Sequence, residues 1–542
     1  MRKASLINIF KTGSNPSVHE VILIVDFGSQ YTHLIAQRIR SLGVYTEIIY
    51  PEDLEHIVST GKLDIARNIV KGIILSGGPS SVHEKNSPKI SLHTLSSINV
   101  PILGICYGHQ LIGYLYGGLI RRGVSGEYGK VCIKVIKDSI LFRGIPRKFI
   151  VWMSHRDIVE KPPNGFYVLA VTDKCPNAAM EYSERRIYTL QFHPEVSHTE
   201  YGLSIFKNFV FEICKCKGDW KPTNVIEEFV KKYRKYANEY AVVAVSGGVD
   251  STVTAVVLRK IFNDRLFLIF INTGLLREGE VEWVTDLYRN KLGFKNFIYI
   301  DASDKFLSAL KGIKDPERKR LIIAKLYYEV LRDKIKELSR RIGRVRFLGQ
   351  GTLYPDRVET GITSRHVDRI KSHHNVIIRE LIKEFDFELL EPLKDLYKNE
   401  VREIAYSLGL PEDVCTRHPF PGPGLAIRIL GEVNEEKLDI LRKADRIVEE
   451  EVKKRGLYKK LWQAFPVLIS LKTVGIKGDK RSYEYMISLR FVESIDAMTA
   501  NFAKVDWSFL EHLANRILNE VEHVNRVVYD ISNKPPATIE YE

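Results

Sequence analysis

The chain has 542 residues, a hydrophobic share of 44%, a charged share of 27% and a net charge of +14, from 81 Lys and Arg against 67 Asp and Glu. This length exceeds what one hydrophobic core supports and predicts about three domains, and the composition is typical of a globular protein rather than a fibrous or disordered one. No apolar run approaches the roughly 18 residues of a membrane span and no hydrophobic leader follows Met1, so we expect neither a membrane association nor a signal peptide.

Cysteine use and charge distribution limit the surroundings in which the protein works. Six cysteines without regular spacing argue against a disulfide framework and predict a reducing compartment, the cytoplasm. The positive charges are spread along the chain and alternate with acidic residues, as in Lys394–Arg402. This pattern favours an ordinary solvated face over a nucleic-acid-binding stripe. We therefore expect no nucleic acid partner.

The first part of the chain predicts an α/β fold. Residues 1–20 are polar and contain turn formers such as Gly13 and Pro16, which predicts a flexible N-terminal extension. Apolar runs at 21–25, 72–75 and 101–105 then predict buried strands. Strands that alternate with helices indicate an open α/β sheet whose functional loops lie at the carboxyl ends of the strands.

The third of these strands ends at Cys106, within Gly104-Ile-Cys-Tyr-Gly108. Glycines two residues before and after a nucleophile allow the sharp turn from strand to helix that presents a side chain at the edge of the sheet. The N-terminus of the following helix stabilises a thiolate. A buried structural cysteine is the commoner alternative, so the catalytic interpretation requires a partner base.

The run Gln191-Phe-His-Pro-Glu195 supplies that partner. His193 can act as a base, and Glu195 can orient its ring and stabilise the imidazolium. An oxyanion hole requires backbone N–H groups as well. We assign these to Gly78, in the glycine pair after the second strand, and to Tyr107.

These motifs resemble the class I (triad) glutamine amidotransferase family over residues 21–215. The resemblance implies that Cys106, His193 and Glu195 form a catalytic triad, which hydrolyses the side-chain amide of glutamine through a thioester and releases ammonia. The family usually has Gly where this chain has Arg156. That departure lies beside His155 and does not touch the triad.

A second site is predicted where the β-branched run Ala241–Val245 enters a glycine-containing loop. Strand, glycine turn and helix bring backbone N–H groups and a helix N-terminus together around an anion, and glycine allows that anion to approach the backbone closely. An ordinary turn is the alternative reading, and the loop lacks the Lys that closes a Walker A motif. We interpret the loop as a pyrophosphate cradle formed by Ser246, Gly247, Gly248, Val249, Asp250, Ser251 and Thr252.

Two further strand-to-loop junctions follow, at 272–277 and 350–356. Residues 216–417 resemble the N-type ATP pyrophosphatases, which implies that the cradle binds the β,γ-phosphates of ATP, that ATP is cleaved to AMP and pyrophosphate, and that Mg²⁺ bridges the phosphates. Enzymes that thiolate tRNA belong to the same family and would suit the basic charge. They need catalytic cysteines, often as Cys-x-x-Cys, and Cys214, Cys216 and Cys415 form no such pair.

The last part of the chain predicts a smaller α+β domain at 418–542. It begins with a rigid loop rich in Pro and Gly, 418–428. The elements that we predict after it are a helix at 435–455, strands near 467–471 and 483–489, and a helix at 509–521. The final stretch, 525–542, is too apolar, and its double proline too specifically placed, for a disordered tail.

An amidotransferase, an ATP pyrophosphatase and this ending, in this order, resemble the family of glutamine-hydrolysing GMP synthetases over nearly the whole chain after residue 20. The resemblance implies that ATP adenylates the C2 oxygen of xanthosine 5′-monophosphate (XMP) and that ammonia displaces AMP to give GMP. It implies a homodimer in which the last domain pairs two subunits and completes the XMP pocket. The XMP contacts carried over are Arg277, Asp356, Lys477, the phosphate-binding Lys534 and the base-binding Glu540.

The predicted fold class is α/β, with two open, mostly parallel-sheet domains followed by a smaller α+β dimerisation domain. The chain departs from the family at Ile377–Glu380, where Gly-Gly-Leu-Pro is usual, and at Tyr541, where Trp is common. One rival reading is another glutamine-fed ATP pyrophosphatase, such as an NAD synthetase-like fusion, which would carry a nitrilase-type domain. The other is a nucleotide-binding regulator with an inactive triad, and the intact Cys106, His193 and Glu195 count against it.

Overall fold

The computed structural model describes residues 20–65, 69–363, 384–477, 479–494 and 499–542. The side chains of residues 64, 65, 124, 125, 359–363 and 477 are not described. The predicted extension up to residue 19, the departure at Ile377–Glu380 and the side chain of Lys477 therefore lie outside the description. The chain forms two compact units, Met1–Lys221 (unit 1) and Pro222–Glu542 (unit 2).

Unit 1 contains a nine-stranded sheet. Its strands are β1 (Val21–Val25), β2 (Tyr45–Ile49), β3 (Val70–Leu75), β4 (Ile102–Ile105), β5 (Leu119–Val135), β6 (Lys148–Lys161), β7 (Tyr167–Val171), β8 (Ala179–Tyr182) and β9 (Ile187–Leu190). They lie in the order β2-β1-β3-β4-β9-β8-β7-β5-β6. The first five strands of that order pair in parallel, and the other four extend the sheet in antiparallel pairs.

The helices of unit 1 pack on this sheet. They are α1 (Thr32–Arg40), α2 (Pro51–Ser59), α3 (Lys62–Ile65), α4 (Leu92–Ser97), α5 (Tyr107–Leu115) and α6 (Gly202–Lys207). Every residue of β1 and β4 is buried, as expected for parallel strands that are covered on both faces. The carboxyl ends of β3, β4 and β9 lie side by side in the sheet, which places the loops that follow them at one edge.

Unit 2 begins with a second, fully parallel sheet. Its strands are β10 (Tyr240–Ala244), β11 (Leu266–Asn272), β12 (Phe297–Asp301), β13 (Val345–Gly349) and β14 (Glu388–Leu390). Their order is β12-β11-β10-β13-β14, so that β10 is central and β11 and β13 flank it. The helices of this region are α7 (Pro222–Tyr233), α8 (Val249–Phe262), α9 (Glu280–Asp286), α10 (Ser303–Leu310), α11 (Pro316–Ile342), α12 (Tyr354–Thr363), α13 (Lys398–Ser407) and α14 (Glu412–Cys415).

The rest of unit 2 is a third, mixed sheet with two helices. Its strands are β15 (Ile429–Leu430), β16 (Gln463–Lys477), β17 (Lys480–Glu493), β18 (Asn501–Phe502) and β19 (Val524–Tyr529). β16 and β17 form a long antiparallel hairpin, and β19 pairs in parallel with β17. The helices α15 (Glu435–Lys454) and α16 (Trp507–Glu520) pack against this sheet and contribute to its core.

The predicted fold class is confirmed, with two parallel-rich α/β sheets followed by a smaller α+β part. Residues on both sides of the predicted boundary at 417 share one core, in which Leu275 and Phe306 join Leu441 and Ile487. That boundary stays a prediction. No helix in the described ranges combines the length and the apolar character that a membrane crossing requires.

Candidate active sites

The first site is built at the turn between β4 and α5. Cys106 adopts φ +52°, a strained conformation for a residue other than Gly, and its side chain is buried. The two neighbouring glycines are needed for close packing. A Cβ atom on Gly104 would lie 2.8 Å from the backbone of Gly108, and a Cβ on Gly108 would lie 2.4 Å from the Leu75 carbonyl oxygen. The positive φ falls on the nucleophile itself rather than on a glycine.

His193 and Glu195 form a buried pair after β9. The imidazole Nδ1 donates a hydrogen bond of 2.7 Å to the Glu195 carboxylate, and both residues are less than 4% exposed. A Cβ atom on Gly77 would lie 3.1 Å from His193 Cε1 and 3.5 Å from Cys106 Cβ, so both side chains of the predicted catalytic pair flank this glycine. The structure therefore brings the three predicted triad residues together.

The charges around His193 favour its protonated form. Burial alone acts to lower the pKa of His193, but the charge of Glu195, the charge of Cys106 and hydrogen bonds to both side chains raise the pKa well above its ordinary value. A protonated imidazole beside the sulfur is the arrangement that a cysteine nucleophile requires.

The predicted oxyanion-hole residues lie on the same turns. Gly78 follows β3, and Tyr107 is the first residue of α5. Among the hydrogen bonds of the described residues, neither backbone N–H has an acceptor within the protein. Both groups are thus available to a developing oxyanion.

Sequence reasoning missed two residues of this site. The Gln191 amide donates to Cys106 Sγ at 3.9 Å, and the ring of Tyr31 meets the His193 ring edge-on at 5.0 Å between centroids. Gln191 opens the run that contains His193, and Tyr31 closes the polar run after β1, so each lay within a recognisable stretch. The departure at Arg156 is exposed, which agrees with the expectation that it does not touch the triad.

The second site lies between β10 and α8. Gly247 adopts φ +75°, and a Cβ atom there would lie 2.7 Å from Trp283 Cζ3, so only glycine fits this turn. The Ser246 N–H and the Gly248 carbonyl both contact the Ser251 hydroxyl, at 3.3 and 3.1 Å. These bonds fold the loop into a closed turn at the start of α8, with Ser246 exposed.

The remaining members of the loop point in different directions. Val249 and Thr252 are buried, and the Thr252 hydroxyl bonds the Gly248 carbonyl and the Tyr288 hydroxyl. These two side chains support the loop from inside. Asp250 has one oxygen bound by Lys398 Nζ, and its buried Oδ1 has no hydrogen-bond partner in the described part of the chain.

Two cations near this loop were not predicted. Lys398 pairs with Asp250, and the Arg417 guanidinium pairs with Glu280 and lies 4.0 Å from the centre of the Trp283 ring. The sequence analysis treated the run Lys394–Arg402 as a solvated face and did not predict that Lys398, whose side chain is 26% exposed, pairs with Asp250. A lysine spaced among acidic residues on a helix gives no sequence signal that it will meet an aspartate 148 positions away.

The expected XMP contacts are only partly brought together. Arg277 follows β11, and its side chain, 8% exposed, lies 3.2 Å from Asp445 and 3.4 Å from Glu449. Asp356 is exposed in the first turn of α12 and accepts a hydrogen bond of 2.9 Å from the Leu353 N–H. Since β10, β11 and β13 are adjacent and parallel, the loop at 246, Arg277 and the loop before α12 share one edge of the sheet.

The other expected contacts lie near the end of the chain. Glu540 accepts hydrogen bonds from the buried Arg428 at 2.8 and 3.1 Å and from the Gln463 amide at 3.1 Å. Lys534 forms a backbone bridge with Ala500. Specific polar contacts hold this final segment, for which the sequence analysis argued against a disordered tail.

Comparisons with known proteins identify the family. Residues 23–213 match the model of glutamine amidotransferase class-I, and residues 450–541 match the model of the GMP synthase C terminal domain. GMP synthase [glutamine-hydrolyzing] from Caldicellulosiruptor saccharolyticus is 49% identical over 97% of this chain and 100% of its own length. The enzyme of the same name from Caldanaerobacter subterraneus is 50% identical over 96% and 99%. A crystal structure of a putative GMP synthase subunit from Thermoplasma acidophilum is 33% identical, with a TM-score of 0.31, and the match covers 36% of this chain and 94% of that one. The chain belongs to the family of glutamine-hydrolysing GMP synthases, ligases that depend on glutamine.

Proposed function

We propose that Cys106, His193 and Glu195 release ammonia from glutamine in unit 1, and that the loop at 246–252 binds the ATP with which unit 2 activates XMP. The observation that carries the proposal is the buried His193–Glu195 pair, which flanks Gly77 together with Cys106. A glutamine-dependent ligase needs such an ammonia source, and the second, nucleotide-type site lies in a separate compact unit.

The glutaminase steps follow from the order of the side chains. His193 takes the thiol proton of Cys106, and the sulfur attacks the amide carbon of glutamine. The carbon–nitrogen bond then breaks while His193 returns the proton to the departing nitrogen, which leaves ammonia and a thioester. Water, deprotonated by His193, cleaves the thioester to glutamate and restores the thiol. The N–H groups of Gly78 and Tyr107 stabilise the oxyanion in both halves.

The synthetase steps make a poor leaving group reactive. The C2 oxygen of XMP attacks the α-phosphorus of ATP, and the bond to the β-phosphate oxygen breaks to release pyrophosphate. Ammonia then attacks C2, AMP departs with the former C2 oxygen, and loss of a proton gives GMP. In this scheme Ser246, Gly248 and Ser251 bind the β,γ-phosphates, and Lys398 and Arg417 add positive charge nearby.

Arg277, Asp356, Lys477, Lys534 and Glu540 are the proposed XMP contacts. Arg277 lies after β11 and Asp356 lies in α12, which follows β13. Because β11 and β13 flank β10, both residues lie at the sheet edge that also holds the ATP loop, which supports their assignment. Lysine and arginine suit the phosphate of XMP, and carboxylates suit the N–H groups of its purine ring.

Mg²⁺ fits the cradle at Asp250. The buried Oδ1 of this residue lacks a hydrogen-bond partner among the described residues, and Mg²⁺ is commonly held by one or two carboxylates together with substrate phosphates. Asp250 would therefore hold the ion. When bound, Mg²⁺ neutralises phosphate charge and stabilises the pyrophosphate that leaves.

The homodimer is also a proposal, supported by the β16–β17 hairpin. Four of its apolar side chains are 53–76% exposed, namely Leu471, Val474, Ile476 and Tyr483. Val474 and Tyr483 are cross-strand partners in this hairpin. Exposed apolar residues grouped in this way are typical of an interaction site, and a second copy of the chain would cover them. Sedimentation of the full chain should give twice the monomer mass, and Ile476→Asp should shift it toward the monomer.

The proposed compartment is the cytoplasm, because the six cysteines are free thiols and a reducing environment keeps them so. The proposed domain boundaries are those of the sequence analysis, with the extension at 1–20 and domains at 21–215, 216–417 and 418–542. Unit 1 ends at Lys221, six residues past residue 215, where the predicted amidotransferase domain ends.

The test of the proposed function compares two nitrogen sources. Cys106→Ala should lower glutamine-dependent GMP formation by about a thousandfold or more while GMP formation from ammonium salts persists. Cys132→Ala, which removes an exposed cysteine of the same unit, is the matched control and should leave both rates unchanged. Release of AMP and pyrophosphate should depend on XMP. Equal loss with both nitrogen sources would contradict the division of labour.

A further inference from the structure

Four buried or half-buried charges of alternating sign connect the loop after β11 to the end of the chain. Arg277 Nε lies 3.2 Å from Asp445 Oδ2, and the other oxygen of Asp445 lies 3.9 Å from Arg428 Nη1. Arg428 in turn donates two hydrogen bonds to the Glu540 carboxylate. The two ends of this row, Arg277 and Glu540, are both proposed XMP contacts, and they are 263 positions apart in the sequence.

Burial and two phenylalanine rings shield this row of charges from water. The Arg428 side chain is fully buried, and that of Asp445 is 4% exposed. The ring of Phe420 lies against both arginines, 5.0 Å from the Arg277 guanidinium and 5.3 Å from that of Arg428, and Phe465 covers Arg428 at 4.0 Å. Charges in such surroundings are strongly coupled, because little water screens them.

One end of the row opens into a cavity of about 250 Å³. Its wall is formed by Arg277, Glu278, Asp445, Arg446, Glu449, Glu450 and Lys453. Glu449 also contacts Arg277, but its side chain is 30% exposed, whereas that of Asp445 is 4% exposed. Among the described residues, Asp445 is the acidic group that contacts both Arg277 and Arg428.

We propose that Asp445 is a positioning residue for XMP. Its carboxylate fixes Arg277 at the cavity wall and, through Arg428, fixes the carboxylate of Glu540. The distance between Arg277 and Glu540, two proposed XMP contacts from distant parts of the chain, is thereby kept constant. This inference rests on the proposed function, in which Arg277 and Glu540 bind XMP. Asp445 acts through these residues and does not itself have to touch the nucleotide.

The test is Asp445→Asn, which keeps the side-chain shape and removes the charge. GMP formation is measured with saturating ATP and ammonium while XMP is varied. We expect the KM for XMP to rise about tenfold or more, with the KM for ATP changed by less than about twofold because the ATP loop does not contact Asp445. Nucleotide-free glutaminase activity of the same preparation should equal that of the unmodified protein.

The matched control is Glu451→Gln on the same helix. Glu451 is also buried, at 4%, and pairs with Arg516 at 2.9 Å and His512 at 3.2 Å, away from Arg277. General destabilisation of α15 would affect both variants alike. An equal rise in the KM for XMP in both would overturn the proposal.

A double-mutant cycle separates positioning from direct binding. Asp445→Asn should raise the KM for XMP less in a Glu540→Gln background than in the unmodified protein, because the geometry it maintains is already lost. Fully additive effects would contradict the proposal. Should Asp445→Asn yield no folded protein, Arg428→Lys carries the same expectation, since it keeps the charge but loses the paired contact with Glu540.

Failure of the proposed function has a different signature. If the unmodified protein released AMP and pyrophosphate without any dependence on XMP, the function itself would be wrong. If the unmodified protein required XMP and the Asp445→Asn variant had an unchanged KM for XMP, only the proposed role of Asp445 would be contradicted.

Discussion

The two sites differ in how far apart in the sequence their parts lie. In unit 1, His193 and Glu195 are two positions apart in one short run after β9. Cys106 lies in a second short run after the neighbouring strand β4, 87 positions earlier in the sequence. In unit 2, Asp250 meets Lys398 across 148 positions, and Glu280 meets Arg417 across 137. Residues grouped in short runs leave readable motifs, whereas a pair of single charged residues far apart in the sequence leaves none.

They differ in readiness as well. In the proposed triad, His193 is buried and is held by a hydrogen bond to Glu195. In the ATP loop, by contrast, Ser246 is exposed and Asp250 keeps an oxygen without a partner in the described part of the chain. The proposed glutaminase site is therefore preorganised, and in our proposal the nucleotides complete the second site.

The largest expected effect tests whether glutamine hydrolysis depends on the hydrogen bond between His193 and Glu195. Glu195→Gln removes the charge that raises the pKa of His193, so glutamine-dependent GMP formation should fall by about 10² to 10⁴-fold. Ammonium-dependent formation should stay the same, since the change lies in unit 1. Glu200→Gln, an exposed residue five positions on, is the control. A loss below about tenfold would show that the pair is not needed.

A smaller effect tests the fit of the ATP loop. Gly247→Ala combines strain at φ +75° with a Cβ atom 2.7 Å from the Trp283 ring, and we expect the KM for ATP to rise about tenfold with either nitrogen source. Gly343→Ala is the control, because Gly343 has φ +92° and open space around it. Equal effects of the two variants on the KM for ATP would mean that backbone strain, and not the close packing at the loop, is responsible.

The smallest effect concerns acid stability. Burial lowers the pKa of His418 to about 4, while the unfolded value is about 6.5. The unfolded chain therefore binds a proton that folded His418 does not, and stability is lost between about pH 6.5 and pH 4, by up to roughly 3 kcal/mol. His418→Gln lacks this loss, so the gap in unfolding free energy between the two proteins should shift in favour of the variant from pH 7 to pH 4.5.

The difference in unfolding free energy between the unmodified protein and His418→Gln can be measured in the full chain by hydrogen exchange. Peptides from residues 418–465 serve for this measurement because they report on unit 2 alone. His33 and His109 in unit 1 also have lowered pKa values, but they are common to both proteins and cancel in the comparison. A gap that is the same at both pH values would contradict the assignment to His418.

Local patterns predicted much of the fold. The strand expected at 21–25 matches β1, and the helices expected at 435–455 and 509–521 lie within two residues of α15 and α16 at each end. Those elements have a regular apolar period, which needs no distant contact to be recognised. β19 was not predicted. It depends on pairing with β17, and apolar and polar residues do not alternate regularly in its sequence, Val-Asn-Arg-Val-Val-Tyr.

The sites follow the same rule. Cys106, His193 and Glu195 could be predicted as a triad because each lies in a short run with a recognisable spacing. Lys398, Arg417 and Asp445 could not, because each is an ordinary charged residue on a helix or loop whose partner is set by the tertiary fold. Burial of an alternating charge row leaves no periodic signal in the sequence.

The packing of Trp283 over the ATP loop gives the protein an internal optical reporter. Its indole ring touches Gly247, lies beneath the Arg417 guanidinium and donates its N–H to Asp413 at 3.0 Å. An anion that draws Arg417 toward the loop alters the electric field at this ring, and therefore its fluorescence. The difference in emission between the unmodified chain and Trp283→Phe isolates this signal from the other four tryptophans, so that nucleotide arrival can be timed separately from ammonia release.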